Sequence, residues 1–134
     1  MKMILTGLGK LEINTCNKSN EKSTDTPEKG YIKTKVLCCA ICRTDAKMWE
    51  QGHRDLVLPR ILGHEMVVED QNKARHIVWP GKSCGLCHFC ITNRENLCEN
   101  MKITGFHRDG GFADYAVLPK ESLIPIPDNL DTHV

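Results

Sequence analysis

The chain has 134 residues, 26% of them charged, with a formal net charge of +1 and eight cysteines. That length makes one ordinary domain able to bury its own core, and the near-neutral mixture of both signs offers no footprint for nucleic acid or an anionic membrane surface. The opening stretch has only Met3 to Leu5 as an apolar run, too short for a signal-peptide core or a membrane span. A cytoplasmic location is therefore expected, where thiols stay reduced and clustered cysteines point to metal or catalysis rather than disulfides.

In chain order, Lys2–Thr6 and Leu11–Ile13 read as strands around a Gly7-Leu8-Gly9 turn, so the chain opens as a hairpin. Asn17–Gly30 is polar and reads as a loop, and Tyr31–Val36 alternates at period two like a half-buried strand. Thr44 or Asp45 is the expected cap of a short helix through Met48, Trp49 and Glu50, ended by Gly52 in a left-handed conformation. Ile61–Val68, Arg75–Trp79 and Phe112–Leu118 read as further strands, with a Cys-rich excursion over Pro80–Thr104 and an Asp109-Gly110-Gly111 turn. Many short strands with few helices predict a mainly β domain, a partly open barrel or sandwich. The Pro-rich tail ends in a cap-like Asp131-Thr132, the signal that precedes a helix, so the chain reads as cut there.

Cys84, Cys87, Cys90 and Cys98 follow the spacing C-x2-C-x2-C-x7-C, which lets four thiolates converge on a tetrahedral zinc at about 2.3 Å. Gly85 eases the first turn. Full thiolate coordination leaves no open position, so such a site stabilises a lobe and performs no chemistry. The rival is an iron–sulfur cluster, but the bacterial ferredoxin pattern closes with C-x3-C-P, whereas seven residues intervene here and Glu99 follows the last cysteine. Two phosphate-loop mimics fail: Gly7-x-Gly9 is followed by Glu12 and a strand, and Gly81-Lys82-Ser83 lacks the upstream Gly because position 76 is His.

This cluster, Cys42-Arg43-Thr44-Asp45, Gly63-His64-Glu65 and Asp109-Gly110-Gly111-Phe112-Ala113-Asp114-Tyr115 together resemble the zinc-dependent medium-chain alcohol dehydrogenases. The resemblance covers nearly the whole chain. It implies a GroES-like, β-rich domain over residues 1–134 with a structural-zinc lobe at about 80–104. In the family a Rossmann domain that binds NAD or NADP follows, so the chain is expected to be a truncated catalytic domain, inactive alone. A homo-oligomer would form through that cofactor domain. The implied activity is hydride transfer from a zinc-bound alkoxide of a small alcohol or polyol to the nicotinamide. The alternative is a free-standing, zinc-stabilised GroES-like binding module without hydride chemistry.

Residue by residue, Cys42 and His64 match the family's first two catalytic-zinc ligands, and Glu65 matches an acid able to support or join the coordination. On their own, a Cys and a His so separated are weak evidence of a site, since a lone Cys is usually a small buried hydrophobe and a lone His usually a surface or hydrogen-bonded residue. The third ligand, a Cys or an acid in the family, comes after the stretch at which this sequence stops. Thr44 matches the hydroxyl that bonds the alcohol and passes its proton outward, Asp45 the acid that orients the ligand His, and Arg43 the residue beside the cofactor pyrophosphate. Helix capping and a solvated Arg are the plainer roles of the same residues.

Three departures stand out. Lys47 occupies the place of the family's relay His, with His53 the substitute. Met66–Val78 is roughly ten residues short of the family, a count taken from the missing hairpin motifs, and sheet closure is expected to suffer. Cys16, Cys38 and Cys39 have no expected partner and read as plain thiols.

Overall fold

Strands β1 (Lys2–Gly7) and β2 (Lys10–Asn14) form the expected opening hairpin, with Gly9 at φ +68° in its turn. The structure is a computed structural model in which residues 1–15 and 27–132 are described. Cys16 and most of the expected Asn17–Gly30 loop lie outside the described residues.

Strand β3 (Tyr31–Ala40) runs beyond its predicted end at Val36. The alternation breaks at Leu37, where a bulge shifts the register: Val36 stands opposite Val68 of β4 (Glu65–Glu69), and Cys38 opposite Val67. A one-residue slip exchanges the faces of everything after it. Cys39 therefore turns with Met66 toward the core, while Cys38 turns outward and its thiol donates to the Thr132 carbonyl at 3.6 Å.

Strand β5 (Arg75–Val78) follows β4 through a tight turn in which the Asp70 carboxylate accepts the N–H groups of Asn72 (2.8 Å) and Ala74 (3.0 Å). The short Met66–Val78 segment thus keeps a hairpin. β8 (Tyr115–Pro119) and an unforeseen β9 (Leu123–Pro125) complete an antiparallel sheet in the order β8-β3-β4-β5-β9. The sheet curls around Met66, Val68, Val78, Ala116 and Leu118 and stays open, bearing out the expected partly open, mainly β architecture.

Two predicted strand boundaries move for one reason. Ile61–Gly63 and Gly110–Phe112 were expected partly as strand, yet they bond to each other: Gly110 N–H to Ile61 O, Gly111 N–H to Gly63 O and Phe112 N–H to Leu62 O, at 2.8 to 3.0 Å. Committed there, they cannot extend β4 or β8.

Helix α1 spans Arg43–Gln51, with Gly52 ending it at φ +74° as expected. Its N-cap is Cys42, correcting the expectation of Thr44 or Asp45: the Cys42 Sγ accepts the Thr44 N–H at 3.2 Å, and the Asp45 carboxylate reaches back to the Cys42 N–H at 3.0 Å. An isolated nine-residue helix is marginal in water. Met48, 1% exposed, anchors it in a second core with Leu5, Leu62 and Phe106, a burial contributing roughly 2 kcal/mol.

The Cys-rich excursion closes on itself where β6 (Gly81–Lys82) pairs with β7 (Lys102–Ile103), and it carries a short α-helix, α2 (His88–Ile91), and a 3-10 turn over Glu95–Leu97.

Candidate functional site

Sheet pairing brings together residues far apart in the chain. Ala40 at the end of β3 stands opposite Glu65 at the start of β4, so Cys42, just past β3, meets His64, just before β4. The Cys42 Sγ lies 3.3 Å from His64 Nε2. With Glu65, which is exposed, they offer three ligand atoms within 4.8 Å of one another.

Asp45, 3% exposed, organises this corner from below. One carboxylate oxygen accepts the Gly63 N–H at 3.1 Å, the other the Cys42 N–H at 3.0 Å. The former also faces His64 Nδ1 at 3.5 Å, an ion-pair contact longer than a good hydrogen bond. Burial would raise the Asp45 carboxyl, but the His64 ring and the Cys42 and Gly63 N–H groups outweigh it and hold it below the ordinary carboxylate value. The same carboxylate raises the His64 imidazole against the opposing effect of burial. The ring is thereby turned with Nε2 toward Cys42 and Nδ1 toward the acid, the arrangement that orients a ligand histidine.

Thr44 and Arg43 stand exposed on the first turn of α1, next to Cys42 in sequence. The structure brings Asp45, Cys42, His64 and Glu65 together. Arg43 has no contact among the described residues that ties it to them. Phe106 had no sequence signal beyond an aromatic after a glycine, yet its ring packs against His64 (centroids 5.7 Å apart) and edge-on against His53 (5.6 Å).

Three glycines hold the loop that carries His64. Gly63 has φ +90°, and a Cβ there would stand 2.7 Å from the Phe112 ring and 2.8 Å from the Cys39 Sγ. A Cβ on Gly105 would stand 3.1 Å from the Gly63 carbonyl oxygen, and one on Gly110 would collide with it. Cys39 fills this junction, and its burial pushes the thiol up to about 12, in keeping with an inert packing role.

In the lobe, Cys84, Cys87, Cys90 and Cys98 converge as their spacing predicts. Cys87 and Cys90 sulfurs lie 3.5 Å apart, Cys84 and Cys90 sulfurs 3.9 Å. Sulfurs about 2.3 Å from a tetrahedral zinc are separated by about 3.8 Å, so the cage fits that ion. N–H groups of Leu86 and Cys87 bring the Cys84 thiol down to about 6, while burial pushes Cys90 up to about 12. Gly85 takes φ +72° in the first turn. The second cluster also fits, because one sulfur, one imidazole nitrogen and one carboxylate are the donors that catalytic zinc sites use.

Residues 28–128 match the family described as "Alcohol dehydrogenase GroES-like domain". The chain is 33% identical over 119 residues to the starvation-sensing protein RspB of Escherichia coli (strain K12), covering 81% of this chain and 35% of that protein. It is 34% identical over 137 residues to an alcohol dehydrogenase of Geobacillus stearothermophilus, covering 89% of this chain and 40% of that protein. A solved structure from Sinorhizobium meliloti 1021, described as a zinc-binding dehydrogenase bound to NADP, superposes with a TM-score of 0.83 at 30% identity, covering 98% of this chain and 39% of that one. The chain thus spans well under half the length of these relatives.

Proposed function

Since the chain belongs to the zinc-dependent medium-chain alcohol dehydrogenase family, whose GroES-like domain it carries, we propose that it is the catalytic domain of an NAD- or NADP-linked alcohol or polyol dehydrogenase. The observation that carries this reading is the Cys42–His64–Glu65 cluster held by Asp45. A structural module has no need to orient an imidazole toward a thiol at a surface corner.

In this reading Cys84, Cys87, Cys90 and Cys98 hold a structural zinc, and Cys42, His64 and Glu65 hold a second. Bound there, zinc would supply a Lewis acid that makes a substrate hydroxyl acidic near neutral pH. The chain's own residues do the rest. Asp45 fixes the His64 ring, and Thr44, exposed beside Cys42, accepts the hydroxyl proton and hands it toward solvent. Arg43 offers its guanidinium fork to the cofactor pyrophosphate. The nicotinamide itself comes from a cofactor-binding domain of the full-length enzyme, so this chain alone is expected to bind metal and not to turn over. A cytoplasmic location is part of the proposal; no helix among the described residues is long and apolar enough to cross a membrane.

Metal analysis tests the reading. Two zincs per chain, falling to one in Cys42→Ser, are expected. In cobalt-substituted protein, Cys42→Ser should remove part of the thiolate-to-metal absorption. One zinc in the wild type would favour the free-standing binding module instead, and bound iron would defeat both.

A further inference from the structure

Lys47, which takes the place of a relay histidine, borders a shallow depression of about 570 Å³ with Leu8, Gln51, Gly52, His53, Arg54, Leu56 and Leu58. Its lining carries three basic side chains and no acid. Lys47 is exposed and has no hydrogen bond or ion pair among the described residues. Arg54 is 88% exposed, and its only charge partner among those residues is Asp55, at 3.4 Å. Asp55 also lies 3.7 Å from His53, and Glu50 flanks the depression on α1. Among the described residues no acid forms an ion pair with Lys47, Glu50 standing three positions further along the same helix. Leu8, Leu56 and Leu58 supply an apolar wall for the body of a ligand.

The depression adjoins the metal cluster. His53 on its edge and His64 in the cluster pack on the same Phe106 ring, each under 6 Å from its centroid. Helix α1 runs from one to the other, with Cys42 and Thr44 at its start and Lys47 and Gln51 further along.

We propose that this depression is a subsite for an anionic group, a carboxylate or a phosphate ester, at the far end of the substrate, with Lys47 as its main contact and Arg54 as a second. The inference rests on the dehydrogenase reading and narrows it: the substrate is an acidic or phosphorylated polyol. Ammonium and guanidinium donors bind such oxygens by charge-assisted hydrogen bonds.

The test is titration of the zinc-loaded 134-residue chain with D-glucitol, D-gluconate and D-glucitol 6-phosphate, followed by backbone amide shifts. One or both anions should bind about ten-fold more tightly than glucitol, with shifts at Lys47–Leu58 that weaken as salt is raised. The arm that binds more tightly separates carboxylate from phosphate. Lys47→Gln should abolish the preference, and Arg54→Gln should reduce it. Equal binding of all three probes, binding of none, or shifts confined elsewhere would overturn the subsite. The cobalt spectrum separates this failure from that of the underlying reading: a normal spectrum without anion preference defeats the subsite alone, whereas anion preference without the Cys42-dependent absorption supports the anion site and defeats the dehydrogenase assignment.

Discussion

Gly110 lies flat against the carbonyl oxygen of Gly63, so closely that a side chain at position 110 would collide with it and stand 2.7 Å from the Leu62 oxygen. The contact joins the Asp109-Gly110-Gly111 turn to the loop that presents His64, and backbone on both sides leaves nothing that can yield cheaply.

Gly110→Ala is expected to lose about 3 kcal/mol of stability, at the upper end for overpacking, and to weaken metal binding at Cys42 and His64. Gly9→Ala is the control. It has a positive φ of +68° but nothing within 4 Å, so it should lose only about 1–2 kcal/mol, the cost of a left-handed conformation. Denaturant unfolding of both variants measures the difference, and equal losses would contradict the packing argument.

Asp45→Asn retains a near-isosteric side chain but removes the charge facing His64 Nδ1 at 3.5 Å. Loss of such an orienting partner typically weakens a metal site 10- to 100-fold. Competition titrations with cobalt should show that loss for the Cys42-dependent metal and leave the four-cysteine site unchanged. A parallel loss at both sites would mean that the substitution acts on the whole fold.

Cys98→Ser should destabilise the chain more than Cys42→Ser. The former opens a closed cage in which a bound zinc would couple to the folding of its lobe, while the latter removes one candidate donor and a thiol cap at a helix already anchored by Met48. Thermal unfolding ranks the two, and a Cys98→Ser protein as stable as the wild type would defeat the structural assignment. Chelation should raise amide exchange at Gly81–Ile103 before it reaches β3 and β4.

Arg75 binds the tail through three acceptors: the Thr132 hydroxyl at 2.8 Å, the Asp128 carbonyl at 3.1 Å and the Pro127 carbonyl at 3.3 Å. A lysine cannot span them as the planar fork does. Arg75→Lys should therefore speed proteolysis within 127–132, with global stability lowered by only about 1 kcal/mol, the worth of a typical hydrogen bond. Unchanged cleavage would show that the tail is held elsewhere.

The four-cysteine cage, the opening hairpin and the helix ended by Gly52 were legible in the sequence because each depends on neighbours a few residues away. The Cys42–His64 pairing was legible only through its flanking motifs, because a Cys and a His far apart in the chain carry no local signal. Strand limits failed at Ile61–Gly63 and Phe112–Asp114, where pairing between distant loops overrode local preference. The cap was misassigned because Cys is an uncommon N-cap, whereas Thr44 and Asp45 both suit the role by type.

By itself, then, the sequence determined the convergence of the lobe's four cysteines, the mainly β character and the identity of the helix that follows Cys42, all set by short-range spacing and turn chemistry. Only the tertiary structure decided that Ala40 and Glu65 pair and so bring Cys42 to His64, that Asp45 serves both the helix and the imidazole, and that Phe106 links His64 to the basic depression at Lys47. These contacts join segments whose approach is set by sheet register and close packing of glycine backbones, and no window along the chain contains both partners.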